Sequence, residues 1–197
     1  MSHILSDRDL DLIFRNARTH SAWLDKPVSD VTLQAMYDLM RMGPTSANCS
    51  PARWLFLRTD ESKEKLKPHL IPGNVDKTMA APVTAILGYN IRFYEQLAQL
   101  FPHDLSARSW FEGKDDLIET TAFRNSSLQG AYMIIAARAL GLDCGPMSGF
   151  DNAGVDAAFF PDGDVKSNFI CNIGYGDPAA LPPRNPRLDF NDACQVL

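Results

Sequence analysis

The chain has 197 residues, 45% hydrophobic and 22% charged, with 12 Gly and 13 Pro, a globular composition that excludes collagen-like, disordered and low-complexity readings. Nineteen Lys and Arg against 24 Asp and Glu leave a formal charge of -5, so no global positive field draws nucleic acid or an anionic membrane, and any anion site must be local. The length fits one domain, residues 1–197, able to bury about 70% of its unfolded surface.

Cys49, Cys144, Cys171 and Cys194 stand far apart with no C-x-x-C pair, which points away from a bound metal or a disulfide framework and toward free thiols in a reducing cytoplasm. The opening MSHILSDRDLDLIF carries acids where a signal peptide needs a basic start and an apolar run. No apolar stretch approaches the ~18 residues that span a bilayer. A soluble, cytoplasmic protein is expected.

In chain order, Ser6 with Asp9 reads as a capping box that opens a helix over about residues 7–19. Ser29 or Asp30 caps a second, with Leu33, Met36, Tyr37 and Met40 on one face and Gly43-Pro44 as its stop. Trp54 to Arg58 reads as a strand, Glu61 to Leu70 as a helix interrupted by Pro68, and Val83 to Tyr89 as a buried strand. A helix follows over Ile91 to Leu100, then an irregular segment, Phe101 to Lys114, that could cap a site. Thr120 to Leu140 carries the strongest helical pattern, ended by Gly141; Gly145 to Gly149 reads as a turn, Ala153 to Phe159 as a short helix and Ser167 to Ile173 as a strand. From Asp177 the chain holds Pro178, Pro182, Pro183 and Pro186 and reads as an arm, 177–197. Three strands among five or six helices predict an α+β or α/β layered fold; the reading adopted is α+β.

Gly174-Tyr-Gly176-Asp-Pro-Ala179 fits G-x-G-x-x-A after an apolar strand, but the prolines that follow leave no helix to receive a pyrophosphate. Ser148 before Gly149 lacks the first glycine of a nucleophile elbow, and His3, His20, His69 and His103 sit beside no obvious nucleophile. More informative is Gly43-Pro-Thr-Ser-Ala-Asn-Cys-Ser-Pro51, which gathers hydroxyl, amide and backbone N–H groups with room for a flat ligand.

Pro44-Thr-Ser-Ala-Asn48 with Pro51 resembles the P-S-S/A-x-N-x-Q-P-W loop of the nitroreductase family of flavin enzymes. Other landmarks follow in order: Ala17 to Trp23 resembles R-R-S-x-R-x-F, Asn74-Val-Asp-Lys77 resembles N-x-x-K, and Gly141 to Phe150 resembles G-L-G/D-x-x-P-I-x-G-F. Ile173-Gly-Tyr-Gly176 and a late Arg187 complete a likeness that runs over nearly the whole chain. The wording around residues 43–53, 123–127, 145–150 and 173–177 is similar to the malonic semialdehyde reductase branch of bacterial pyrimidine degradation.

The resemblance implies an α+β homodimer with FMN at the subunit interface and the arm wrapping the partner. It implies Arg18, Thr19 and Arg187, with Arg184 as a compensating cation, at the FMN phosphate; Ala17 and Ser21 stand where many members carry basic residues. It places Asn74 and Lys77 at the pyrimidine side of the ring, where an ammonium favours the added electrons. Thr45, Ser46 and Asn48 reach the flavin from one subunit, and Pro146, Met147, Ser148 and Gly149 line it from the other side. Ser148 and Ser50 replace the glutamate and glutamine of many relatives. The implied chemistry is ping-pong, hydride passing from NADH or NADPH through flavin N5 to a small-molecule acceptor. If the acceptor is malonic semialdehyde, Arg53, Arg108 and Arg124 are the candidates for its carboxylate; no residue is assigned as proton donor. A broad nitroaromatic or quinone reductase and a flavin-binding or sensing module without turnover are the rival readings.

Overall fold

The computed structural model describes residues 4–197, so that His3 lies outside them. The amino-terminal helix α1 (Asp7–Leu10) has the expected capping box: Ser6 accepts from the Asp9 N–H and the Asp9 carboxylate accepts from Ser6. It continues as one wide turn over Asp11–Arg15 and ends at Asn16, short of the predicted residue 19. The lost turn has a cause, because residues 19–23 pair with strand backbone instead, Thr19 with Cys144 and Trp23 with Gly176. α2 (Asp30–Met40) starts on Ser29, whose hydroxyl accepts from Thr32 N–H, and buries Leu33, Met36 and Met40 as the 3.6-residue spacing demands.

β1 (Ala52–Leu57), α3 (Asp60–Leu66), α4 (Pro72–Ala80) and β2 (Val83–Asn90) follow. α4 carries Asn74 and Lys77, in a stretch for which the sequence reading assigns no regular element. Pro72 occupies its first turn, where a missing N–H costs nothing, but no side chain caps it and Gly73 weakens its pattern. The predicted 91–100 helix divides into a 3₁₀ turn, Phe93–Gln96, and α5 (Leu97–Leu100). Phe101 to Lys114 is held rather than free: it contains a 3₁₀ turn at Leu105–Trp110 and buries Ala107 and Phe111 against Phe93.

α6 (Asp115–Ala139) begins five residues before the predicted Thr120 and crosses one face of the sheet. β3 (Asp143–Met147) stands where a turn was expected; Pro146 is compatible with a strand because β3 is at the sheet edge. α7 (Asn152–Phe159), β4 (Val165–Gly174) and α8 (Phe190–Ala193) complete the chain.

The four strands form one antiparallel sheet in the order β1-β2-β4-β3. On one face α2 and α6 bury Met36, Met40, Met133 and Ala137 against Val83, Ala85 and Ile173. On the other, Leu66, Leu70, Phe150 and Val155 pack on Ile86 and Ile170. Helices on both faces of an antiparallel sheet make the fold α+β, as predicted. No helix of the described residues is long and apolar enough to cross a membrane, and among them no group of His, Cys, Asp and Glu could hold a metal ion.

Candidate cofactor site

Edge strand β3 organises the first half of the site. His20 N–H donates to the Cys144 carbonyl at 3.0 Å, which lays residues 19–23 along β3 and sets Arg18 and Thr19 at its start. Gly145 is required at this crossing, because a Cβ there would lie 2.5 Å from the His20 carbonyl oxygen. The arm then returns over the same place. Arg18 Nη2 donates to the Pro182 carbonyl at 2.5 Å, and Arg184 Nη2 donates to the carbonyls of Arg15 and Ala17, both at 2.8 Å.

Arg18, Thr19, Arg138, Arg184 and Arg187 thereby line a cavity of about 170 Å³ that no Asp or Glu lines. Four guanidinium groups converge on it without a counter-charge. Arg138, in the last turn of α6, was not singled out by sequence reasoning. It donates from Nη1 to the Ile13 carbonyl at 3.2 Å, and its buried Nε has no partner among the described residues. A basic residue in a last helical turn is so common, through the helix dipole, that its position carries no signal of a ligand.

At the far end of β3, Asn74 is 6% exposed and donates from Nδ2 to the Gly149 carbonyl at 2.8 Å. A Cβ on Gly149 would sit 2.4 Å from Ile71 Cδ1 and 2.7 Å from Asn74 Nδ2, so only glycine lets the turn close onto α4. The backbone of Lys77 is fixed from two sides, its carbonyl accepting from Trp23 Nε1 and from buried Asn172 Nδ2, each at 3.1 Å. Its side chain has no ion pair among the described residues. Met147 is buried and accepts from Thr78 Oγ1 at 3.6 Å, while Pro146 and Ser148 are exposed. Arg18, Thr19, Asn74, Lys77, Pro146, Met147, Ser148, Gly149, Arg184 and Arg187 are thus brought to one edge of the sheet.

Thr45, Ser46 and Asn48 are not. Their loop precedes β1, the opposite edge strand, and is bound to the other end of α6. Buried Asn125 accepts from Ser46 N–H at 2.8 Å and Gln129 accepts from Ala52 N–H at 2.9 Å, while Asn48 Nδ2 donates to the Leu100 carbonyl at 2.7 Å. Ala47, Asn48 and Ser50 have φ of 50°, 49° and 38°, a left-handed run stabilised where Thr45 Oγ1 accepts from Ser50 N–H. Thirteen residues separate Asn125 from Arg138 along α6, or about 20 Å. Within one chain the loop and the cation cavity do not meet.

The candidate substrate arginines are dispersed. Arg53 lies half-buried at the start of β1, with its guanidinium pKa lowered by burial. Arg108 pairs with Glu112 at 2.9 Å, and Arg124 is exposed on α6 in an open groove beside Phe123 and Leu128. Asn125, Gln129 and Arg138 are the residues that sequence reasoning missed. The first two share with Thr121 an i, i+4, i+8 spacing in a helix of mixed polarity, a polar stripe that reads as solvated and is in fact buried. The rejected G-x-G-x-x-A also resolves: Asp177 opens only a short 3₁₀ turn at Pro178–Ala180, and Gly176 makes room for the His20 ring.

Comparison with known proteins sets this geometry in a family. The sequence pattern of the Nitroreductase family matches residues 14–175. A Burkholderia lata protein, named by inference as an NADH dehydrogenase/NAD(P)H nitroreductase, is 62% identical over 192 residues, 98% of each chain. A Cupriavidus pinatubonensis protein of the same name is 61% identical over 189 residues, 95% of this chain and 96% of that one. The crystal structure of an Exiguobacterium sibiricum protein, named by inference as a nitroreductase and solved in complex with FMN, aligns over 100% of both chains with a TM-score of 0.84 at 18% identity. The α+β chain with edge strand β3 beside its arginine-lined cavity belongs to the nitroreductase family.

Proposed function

We propose that this chain is an FMN-dependent NAD(P)H oxidoreductase that works as a homodimer and reduces malonic semialdehyde to 3-hydroxypropionate. The observation that carries the cofactor is the cavity of four arginines beside β3, uncompensated by any carboxylate in its lining. Arg18, Arg184 and Arg187 with the Thr19 hydroxyl suit a phosphate dianion. Asn74, held against Gly149, and the Lys77 ammonium face the ring's pyrimidine edge, where a cation favours negative charge. The bound flavin supplies hydride chemistry at N5 between a nicotinamide and the acceptor. Pro146 to Gly149 bound one face of the ring, and Thr45, Ser46 and Asn48 come from the partner, because about 20 Å of α6 keeps a chain's own loop away.

The acceptor rests on the wording of the 43–53, 123–127 and 145–150 segments, similar to the malonic semialdehyde reductase branch. The relatives' names favour a second reading, a broad-range nitroaromatic or quinone reductase. NADH-driven turnover of malonic semialdehyde, measured beside nitrofurazone, separates the two. The expected result is the higher kcat/KM for the aldehyde. Consumption of nitrofurazone alone would transfer the assignment to the second reading, and a colourless protein that takes up no added FMN would defeat both.

A further inference from the structure

A second cavity, of about 200 Å³, lies on the opposite side of the molecule from the arginine cleft, between α2, the start of β1 and α6. Tyr37, Arg41, Arg53 and Gln129 line it with Trp54 as an aromatic wall, and no Asp or Glu is among the lining residues. Arg53 is anchored rather than swinging. Its Nη1 donates to the carbonyls of Ser50 at 3.2 Å and Ala52 at 2.9 Å, and its Nη2 donates to Gln96 Oε1 at 2.9 Å. A guanidinium has five N–H donors. The N–H of Nε and one N–H of Nη2 therefore remain without an acceptor among the described residues, and such charged donors suit a carboxylate.

Two further donors point the same way. Gln129 is 7% exposed; its Oε1 is occupied by the Ala52 N–H, and its Nε2 has no acceptor among the described residues. Arg41, just past the last turn of α2, brings a second cation with no carboxylate partner among the described residues. Arg41 is exposed, whereas Arg53 is half-buried, and an arriving anion offsets the cost of burying its charge. At about 200 Å³ the cavity lies below the range of pockets for drug-sized ligands and suits a short organic acid.

We propose that this cavity binds the carboxylate of a small organic acid, held by the Arg53 guanidinium with Arg41 and the Gln129 amide completing the site. Ser50 joins the cavity to the Thr45–Asn48 loop. As the anchor of an acceptor's carboxylate the site rests on the function proposed above, whereas its affinity for a carboxylate does not.

Calorimetric titration of the purified, FMN-loaded protein with malonate, with Trp54 fluorescence as a second signal, tests it. Saturable one-to-one binding is expected, with uncharged malonamide giving none. Arg53→Gln should weaken malonate at least tenfold, and Arg41→Gln, at an exposed position that leaves the fold intact, severalfold. Arg53→Lys should fail to restore full affinity, since it keeps the charge and loses the fork. No malonate binding, or equal binding by the Arg41→Gln and Arg53→Gln proteins, overturns the proposal. Malonate binding without turnover of malonic semialdehyde supports the site and sinks the acceptor.

Discussion

Lys77 shows how much of a residue's role lies in what holds its backbone. Two side chains from distant segments, Trp23 and Asn172, donate to its carbonyl, so the ammonium leaves from a fixed point. Lys77→Ala should lower the potential of the bound flavin by on the order of tens of millivolts, since 30 mV in a two-electron couple is about 1.4 kcal/mol. A redox titration against dyes of known potential checks this, and an unchanged potential would place the ammonium away from the ring. Cys49 carries a different consequence. Burial raises its thiol pKa from 9.0 to about 11. The folded state holds the proton over a range where the unfolded chain has lost it, so this contribution is complete below pH 9 and is lost as pH rises through 11, at up to about 1.4 kcal/mol per pH unit. Urea unfolding at pH 8.5 to 10.5 should show a shallower decline for Cys49→Ala than for the parent. The role proposed for Lys77 was legible only through the resemblance of Asn74-Val-Asp-Lys77 to the family's N-x-x-K, and Asn172 and Trp23, the residues that position it, were not legible, since their value lies in contacts made across 95 and 54 residues of chain.

At the scale of elements, α6 runs between the two regions assigned to the proposed site. Its amino-terminal half holds the 44–50 loop through Asn125, and its carboxy-terminal turn delivers Arg138 to the cation cavity. Asn125→Ala removes the acceptor for Ser46 N–H and the donor to the Thr121 carbonyl. A loss of about 1–3 kcal/mol in denaturant unfolding is expected, with weaker FMN retention from the loosened loop; full retention would show that the loop stands without α6. α2 and α6 were legible from helical patterns over many residues, and β2 and β4 from short apolar runs. α4 and β3 were not. A helix opened by Pro72-Gly73 without a capping side chain, and an edge strand containing Gly145-Pro146, both carry the local marks of turns, and only pairing with β4 and docking on Gly149 select the regular form.

The whole molecule exposes 11,734 Å², against about 9,300 Å² for a compact monomer of 21.9 kDa. Part of the excess is the arm, whose residues 182–197 are exposed throughout, and part is apolar: Phe123 and Leu128 on α6 and Val31 and Leu39 on α2 all face outward. Such surface fits the proposed homodimer better than a lone chain. Sedimentation should give twice the chain mass, and truncation after Leu181 should shift it toward the monomer and weaken FMN binding through loss of Arg184 and Arg187. A truncated protein that stays dimeric would remove the arm from the interface.

The order β1-β2-β4-β3 also governs how the chain comes to be folded. β4, the last strand in sequence, is the one that β2 and β3 both require, and the β2–β4 pairs close loops such as Val83 to Ile173. Such distant pairing makes for slow folding. At about 5–20 residues per second of synthesis, roughly 4–15 s pass between Tyr89 and Val165. During that time Val83 to Tyr89, apolar and destined for burial, can pair only with β1, which leaves its other edge open to neighbouring nascent chains. The strand that completes the core arrives last, so the same topology that buries the centre of the sheet leaves the unfinished chain with an open, pairing-competent edge until β4 is made.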